Sequence, residues 1–178
     1  EFTSIKPFEI NWNNSNLILN VDIPKEVGAD RICNSFAAKF LFGSPAVVVD
    51  FGSATTYDVI DENGAFIGGA IAPGIDISAH HLIEKTALLK SAAFQFPEKV
   101  VGRNTKTNLQ SGIMFGGVDA INGMLNRIQT EMNWKSMNII LTGGFSTLIS
   151  PQLDRLHQLA PHLTLDGMRF IAEEFYLK

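Results

Sequence analysis

A carboxyl group and several hydroxyls follow directly on a buried apolar strand in the stretch VVVDFGSATT. The residues in it that could bind a ligand are Asp50, Gly52, Ser53, Thr55 and Thr56. A turn rich in glycine and hydroxyls offers backbone N–H groups and Oγ donors to phosphate oxygens. A carboxylate beside bound phosphate needs a cation between them. A plain hairpin in which Asp50 caps a backbone amide fits the same residues, and the stretch alone leaves both interpretations open.

A second glycine-rich turn ends another apolar run, in ILTGGF, where Gly143 and Gly144 precede a predicted helix. Bare backbone at such a turn lets a planar ligand approach, with a helix N-terminus close by. Taken alone, this pattern favours an ordinary strand-to-helix turn. Two glycine-rich turns at the ends of two core strands together favour a nucleotide site.

The third candidate is EVGADRI, in which Asp30 and Arg31 open a predicted helix. An aspartate that accepts the proton of a substrate hydroxyl is the usual base in phosphoryl transfer. A guanidinium beside it could hold a substrate carboxylate. Physical chemistry alone somewhat favours the alternative, in which Asp30 stabilises the helix dipole and Arg31 forms a surface ion pair.

Composition excludes several classes of partner. Fourteen basic against 18 acidic side chains give a net charge of -4, which argues against nucleic-acid binding. The longest apolar stretches are too short to span a membrane, and no secretory signal is expected. The single cysteine, Cys33, cannot form an intrachain disulfide, suits the cytoplasm, and is predicted to be a buried structural thiol. The adjacent His80 and His81 face different directions on a helix, which disfavours a metal site.

Hydrophobic periodicity and turn residues predict the elements that position these side chains. We expect strands at 17–23, 46–51, 55–61, 65–72 and 137–144, and helices at 28–43, 76–89, 106–133 and 163–176. Asn63-Gly64 predicts a type I′ hairpin between the strands at 55–61 and 65–72. Asp76 or Ser78 is expected to start the helix at 76–89.

Three meandering strands followed by helices and a further strand are typical of an α/β ribonuclease-H-like lobe. This is the unit duplicated in the ATPases of the actin, sugar-kinase and Hsp70 class. We expect residues 1–44 to be the remnant of an N-terminal lobe that includes the GADR helix. Residues 45–178 would form the C-terminal lobe, with a last helix that could cross back.

From about residue 20 to the end, the chain resembles the type III pantothenate kinases. The segments that carry the resemblance are PKEVGADRI, VVVDFGSATTYDVID, GAFIGGAIAPGI, KTALL, VVGRNTKTNLQSGIMFG, IILTGGFSTLI and LTLDGMRFI. The combination of GADR, DFG-x-ATT and GGAIAPG in that order is specific to this family. The resemblance implies ATP-dependent phosphorylation of pantothenate to 4′-phosphopantothenate, the first step of coenzyme A biosynthesis, by a cytoplasmic homodimer.

The same resemblance implies a role for each candidate residue. Asp30 would be the general base, and Thr105 would reach pantothenate from the neighbouring subunit. Asp50 would bind the monovalent cation, K⁺ or NH₄⁺. The remaining pantothenate contacts implied are Gly28, Ala29 and Arg31. The implied contacts to ATP, which carries Mg²⁺, are Gly52, Ser53, Thr55 and Thr56 for the phosphates and Gly143 and Gly144 for adenosine.

Two departures from the family pattern matter. Ser53 stands where the family usually has threonine, a change that keeps the hydroxyl. The family also begins with a strand and an Asp-x-Gly-Asn-Thr phosphate loop, in an N-terminal lobe that this sequence does not match. We therefore expect a fragment of a kinase that turns over little or no ATP by itself. The alternatives are a truncated, inactive relative with a ligand-binding or regulatory role, and a kinase of the same superfamily for another small alcohol.

Overall fold

A computed structural model describes residues 7–86 and 93–176 of the chain. Glycine or proline residues lie at several of the turns between the elements of this structure. The helices are α1 (Ala29–Phe42), α2 (Ile75–Glu84), α3 (Thr105–Glu131), α4 (Ser146–Ile149) and α5 (Leu163–Tyr176). The strands are β1 (Ala46–Phe51), β2 (Ala54–Ile60), β3 (Phe66–Pro73), β4 (Asn138–Gly143) and β5 (Gln158–Leu159).

The five strands form one sheet in the order β3-β2-β1-β4-β5. Tight turns connect β1, β2 and β3, so these strands pair antiparallel. β4 follows the crossover through α3 and pairs parallel to β1, and β5 pairs parallel to β4. Antiparallel hairpins joined to parallel crossover strands confirm the predicted ribonuclease-H-like lobe.

Helices cover both faces of this sheet. α1 and α5 pack on the face that carries Ala46 and Val48 of β1, whereas α3 packs on the face that carries Val47 and Val49. α1 and α5 cross so closely at Gly167 that a Cβ there would overlap the carbonyl of Cys33. The thiol of Cys33 is buried, as predicted, and burial raises its pKa to about 11.

Packing of α1 against the sheet and α5 places residues 29–42 in the same core as β1. The division of the chain into a first-lobe remnant, 1–44, and a C-terminal lobe, 45–178, remains a prediction. No helix within residues 7–86 or 93–176 has both the length and the apolar character needed to cross a membrane.

The turn between β2 and β3 differs from the prediction. A type I′ turn needs positive φ at both central residues, but Asn63 lacks it and Gly64 has φ 75°. The N–H groups of Asn63 and Ala65 instead donate to Oδ1 of Asp61, at 2.9 and 2.8 Å. Because the Asp61 carboxylate anchors this turn, the hairpin forms through a wider loop than the one predicted.

The predicted strand at 17–23 is wrong. Only Leu19 forms a bridge, to Phe66, and a 3₁₀ turn at Pro24–Glu26 follows. The pairing of this segment with β3 ends after Leu19, because β3 departs from ordinary strand geometry at Gly68 and Gly69, which have φ of 113° and 155°. Proline then removes a donor at the end of the segment.

The two middle helices agree with the prediction in type and differ at their ends. The N-cap of α2 is Gly74, so neither Asp76 nor Ser78 starts that helix. The predicted last residues of α2, 87–89, lie outside the described residues. α3 spans Thr105–Glu131 and buries an apolar stripe, which includes Met114, Val118, Ile121 and Leu125, against the sheet.

Candidate active site

The first turns of α1 lie over the polar end of β1 and β2. Arg31 and Asn34 are three residues apart, so they share one face of the helix. The Nε–H of Arg31 donates to Oδ1 of Asp58 on β2 at 2.6 Å. The side-chain amide of Asn34 donates to Oδ2 of Asp50 on β1 at 2.8 Å. One helix face therefore binds two strand carboxylates.

Strand pairing brings Asp50 into a row of hydroxyls. Asp50 is paired with Thr56 on β2 and with Thr142 on β4, and directly paired residues present their side chains on the same face. Thr55 is paired with Phe51, is buried, and lies on the α3 face. Of the two threonines expected to contact phosphate, only Thr56 therefore shares a face with Asp50.

Asp50 is held through a partly buried chain of hydrogen bonds. The hydroxyl of Thr164 on α5 donates to Oδ1 of Asn34 at 2.7 Å, and Asn34 in turn donates to Oδ2 of Asp50. Burial raises the pKa of Asp50, the hydrogen bond from Asn34 lowers it, and the nearby charge of Asp30 raises it. No donor within residues 7–86 or 93–176 reaches Oδ1 of Asp50, so this oxygen fits a cation, the partner that carboxylates favour.

Asp30 stands at the open side of the cluster. Gly28, Ala29 and Asp30 are all exposed at the start of α1, where Gly28 is the N-cap. Oδ1 of Asp30 accepts a hydrogen bond from the backbone N–H of Arg31 at 2.9 Å. The charge of Asp30 is close enough to raise the pKa values of both Asp50 and Asp58. The two aspartates singled out in the sequence thus belong to one electrostatic cluster.

Asp58 lies at the back of this cluster and was not singled out in the sequence. Its side chain has no exposed surface, and burial raises its pKa to about 7 against the opposing effect of Arg31. Oδ2 of Asp58 has no hydrogen-bond partner among the described residues. Arg31 therefore pairs with a buried carboxylate, unlike the surface pair that physical chemistry alone favoured.

The two glycine turns lie side by side at the end of β1 and β4. Gly143 has φ 85°, and a Cβ there would overlap Oδ1 of Asp50, so packing within the sheet already requires this glycine. A Cβ on Gly144 would meet nothing closer than 3.9 Å, and one on Gly52 nothing closer than 3.5 Å. Gly52, Ser53 and Gly144 are exposed. These three positions present accessible backbone, which fits a phosphate-bearing nucleotide.

Thr105 does not join the cluster around Asp30. It is the exposed first residue of α3, on the opposite face of the sheet from α1. Asn104 caps this helix, accepting a hydrogen bond from the N–H of Thr107 at 2.9 Å. Within residues 7–86 and 93–176, no three His, Cys, Asp or Glu side chains converge to bind a metal.

A cavity of about 670 Å³ lies beside the cluster. Arg31 of α1, Phe66 and the bare backbone of Gly68 and Gly69 on β3 line one side of it. Asp22 and Glu26, which precede α1, line another. A space of this volume accommodates a small organic molecule, with one guanidinium to bind an anionic group.

Two residues of the cluster, Asn34 and Asp58, were missed by the sequence analysis. Both residues could have been identified from their positions in the sequence. Asp58 is a charged residue in the middle of a predicted core strand, and Asn34 lies among apolar residues four positions after Asp30. A polar side chain at a position that periodicity assigns to the core requires a partner, and here the partners come from other elements.

Comparison with known proteins shows the family. A family model for type III pantothenate kinase matches residues 1–127. The type III pantothenate kinase of Thermomicrobium roseum is 45% identical over 160 residues, which are 90% of this chain and 61% of that protein. That of Moorella thermoacetica is 44% identical over 150 residues, 84% of this chain and 59% of that protein.

A solved structure shares the fold. The crystal structure of a Baf family transcriptional activator from Campylobacter jejuni matches with a TM-score of 0.67 and 25% identity, over 95% of this chain and 74% of that chain. The chain spans about three-fifths of the length of the two kinases named above. It belongs to the type III pantothenate kinase family.

Proposed function

We propose that the intact protein transfers the γ-phosphoryl group of ATP to the primary hydroxyl of pantothenate, forming 4′-phosphopantothenate. The observation that carries this proposal is the position of Asp30, exposed at the start of α1, within the charge cluster of Asp50 and next to the cavity lined by Arg31.

Asp30 is the proposed general base. A base in phosphoryl transfer must reach the substrate hydroxyl, and the Asp30 carboxylate is exposed on a rigid helix start. Gly28 and Ala29 leave its surroundings open, since neither carries a long side chain. Arg31 binds the acceptor's carboxylate at the inner end of the same turn, so one helix start orients both ends of pantothenate.

The glycine turns form the proposed nucleotide side of the site. Backbone N–H groups and hydroxyls neutralise phosphate charge, and the residues proposed to do so are Gly52, Ser53 and Thr56. Thr55, which is buried on the α3 face and paired with both Phe51 and Ala72, is proposed to fix the position of this turn. Gly143 and Gly144 are proposed to lie against adenosine. Asp50 is proposed to hold K⁺ or NH₄⁺ through Oδ1, and Mg²⁺ accompanies the nucleotide and offsets phosphate charge.

A homodimer is part of the proposal. Thr105 lies on the opposite face of the sheet from Asp30, so it is proposed to contact pantothenate bound to a second copy. The relevant compartment is proposed to be the cytoplasm, which supplies ATP and keeps the single thiol reduced.

The test is phosphoryl transfer by Asp30→Asn in the intact protein. Loss of the base is expected to lower kcat about 100-fold or more, with thermal unfolding unchanged. Asp119→Asn, at an exposed position on α3, is the matched control and is expected to retain full turnover. Wild-type turnover in Asp30→Asn would refute the assignment of the base. Other small alcohols, offered in place of pantothenate, test whether the acceptor is correct.

A ligand-binding or regulatory protein without catalysis is the second candidate. It is favoured by the likeness to the Campylobacter jejuni protein, which shares this fold and is named as a transcriptional activator. ADP release and calorimetric ATP binding separate the candidates. Binding of ATP without pantothenate-dependent ADP release supports the regulatory role, whereas release supports the kinase.

A further inference from the structure

We propose that Asp58 is a positioning residue. It holds the guanidinium of Arg31 so that the Nη edge is available in the 670 Å³ cavity, where it binds the carboxylate of the acceptor substrate. This inference rests on the proposed function and assigns specificity for an anionic acceptor to the pair of Asp58 and Arg31 together.

The location of Asp58 points to a role beyond the core. It is in the middle of β2, opposite Val48 of β1 and Gly69 of β3, and its side chain is completely buried. Burying a carboxylate costs several kcal/mol unless it is well paired, and a packed apolar residue serves stability as well or better. Here one oxygen accepts from Arg31 while the other has no partner among the described residues. Stability alone therefore does not explain an acid at this position.

Contacts on three sides define the orientation of Arg31. Its Nε–H donates to Asp58, its guanidinium carbon lies 5.2 Å from the centre of the Phe66 ring, and its Nη2 lies against Gly69. A Cβ on Gly69 would overlap the backbone carbonyl of Tyr57, so strand packing already requires this glycine, and the same Cβ would also come within 3.3 Å of Nη2. No acceptor within residues 7–86 or 93–176 binds the four Nη hydrogens. They are donors for a ligand in the cavity that Arg31, Phe66 and Gly69 line.

Competition within the cluster explains why Arg31 needs to be held. The charges of Asp30 and Asp50 both raise the pKa of Asp58, so the three carboxylates belong to one electrostatic cluster. An unrestrained arginine would pair with Asp30 or Asp50, because a long cationic side chain readily exchanges between nearby carboxylates. Such a pair would neutralise the guanidinium and would occupy the base or the cation ligand. The short bond from Nε to Asp58 prevents this exchange.

The experiment compares two substrates on the intact protein. One is pantothenate, and the other is its analogue with the carboxylate replaced by a primary alcohol. Asp58→Leu keeps the side-chain shape but removes the acceptor, and is expected to raise the KM for pantothenate about 10-fold or more. The KM for the neutral analogue is expected to change less than about 3-fold, and kcat is expected to change little for both.

Asp58→Asn is the conservative variant, because its amide oxygen still accepts from Nε. It is expected to restore the KM for pantothenate to within about 3-fold of the wild type. An equal rise in KM for both substrates, a fall in kcat alone, or an asparagine variant as impaired as the leucine variant would overturn the proposal.

A lysine variant decides the question if Asp58→Leu fails to fold. Arg31→Lys keeps the charge but has no Nε–H, so Asp58 has nothing to orient. Asp58→Ser, whose hydroxyl is too short to reach Nε, is expected to raise the KM for pantothenate about 10-fold when Arg31 is present and to leave it unchanged in the Arg31→Lys background. An equal rise in both backgrounds would overturn the proposal. A wild-type protein that does not phosphorylate pantothenate refutes the proposed function. An active wild type with insensitive Asp58 variants refutes only this inference.

Discussion

The two faces of the central sheet use the same strands in different ways. On the α3 face, β1 and β2 present apolar and aromatic side chains over almost their whole length, with Thr55 as the exception. On the α1 face, Ala46 of β1 and Ile60 of β2 are paired in the apolar core, and the two strands are polar at their opposite ends, where Asp50 is paired with Thr56. Strand side chains alternate between the faces, so a single strand contributes to a dry core and to a candidate site at once.

The difference shows where the fold tolerates buried polarity. Asn34, Asp58 and Thr142 are completely or almost completely buried on the α1 face. Each buried polar group costs about 1–3 kcal/mol if it lacks a partner, and most of these have one from another element. α1 supplies the partners on one face, whereas α3 packs the other with methionine, valine, isoleucine and leucine. The α1 face therefore combines an apolar core with the candidate site, whereas β1 and β2 are almost entirely apolar on the α3 face.

The largest expected effect comes from placing a carboxylate on the dry face. Val49→Asp buries a charge in the apolar cluster between the sheet and α3, so we expect a loss of more than about 4 kcal/mol in the free energy of unfolding and recovery mainly in the insoluble fraction. Urea unfolding of the intact protein measures it. Val49→Ala is the control and is expected to lose about 1–3 kcal/mol. A stable, folded aspartate variant would show that the two faces do not differ as described.

A smaller loss is expected from breaking the polar chain on the α1 face. Asn34→Ala leaves the Thr164 hydroxyl and Oδ2 of Asp50 without their partner, which should cost about 2–4 kcal/mol in the free energy of unfolding. The hydrogen bond from Asn34 lowers the pKa of Asp50, so its removal should raise that pKa further. Chemical denaturation and carboxyl ¹³C NMR measure the two effects.

Thr164→Val is the matched control for this chain. It removes only the outer hydrogen bond, so the expected loss is about 1 kcal/mol and the pKa of Asp50 should move less than in Asn34→Ala. If the two variants shift the pKa of Asp50 equally, the direct contact between Asn34 and Asp50 is not its determinant.

Asp58 should make stability depend on pH. Its pKa rises from 3.8 to about 7 on folding, so the folded protein retains a proton that the unfolded chain releases. The stability contributed by this group is fully present below about pH 4 and is lost as the pH rises through about 7. Asp58→Asn should remove this contribution, so the free energy of unfolding of the wild type relative to the variant should fall by more than about 1 kcal/mol between these pH values.

Denaturant unfolding at a series of pH values checks this prediction. Asp119→Asn, at an exposed position, is the control and should leave the pH profile of the wild type unchanged. A relative stability of Asp58→Asn that is constant across the interval would contradict the raised pKa.

The smallest expected effect separates the two neighbouring threonines. Thr56→Val, on the face of Asp50, should raise the KM for ATP about 3- to 10-fold, because its hydroxyl is proposed to donate to phosphate. Thr55→Val, on the α3 face, should leave that KM within about 2-fold of the wild type. Steady-state kinetics of the intact protein measure both values. Equal effects of the two substitutions would show that strand alternation does not decide which hydroxyl contacts ATP.

Sequence patterns correctly predicted the features that depend only on residues within one helix or strand. The apolar runs of β1 and β4, the long helix α3 and the order of elements from α1 to β4 were correct because periodicity reflects the face that each element buries. The type of turn at Asn63-Gly64 and the strand at 17–23 were wrong. Their outcomes depend on the carboxylate of Asp61 and on the backbone of β3, which local propensities do not include.

The sequence alone determined the class of fold, the family, and the residue types available for phosphate, cation and base chemistry, because these follow from local patterns and motifs. Only the tertiary structure decided which of those residues meet. Arg31 and Asp58 are 27 positions apart, and Asn34 joins α5 to β1 through Thr164, 130 positions further along the chain. Such pairs depend on helix crossing and strand register, which arise when separate apolar faces pack together and leave no trace in the spacing of the residues.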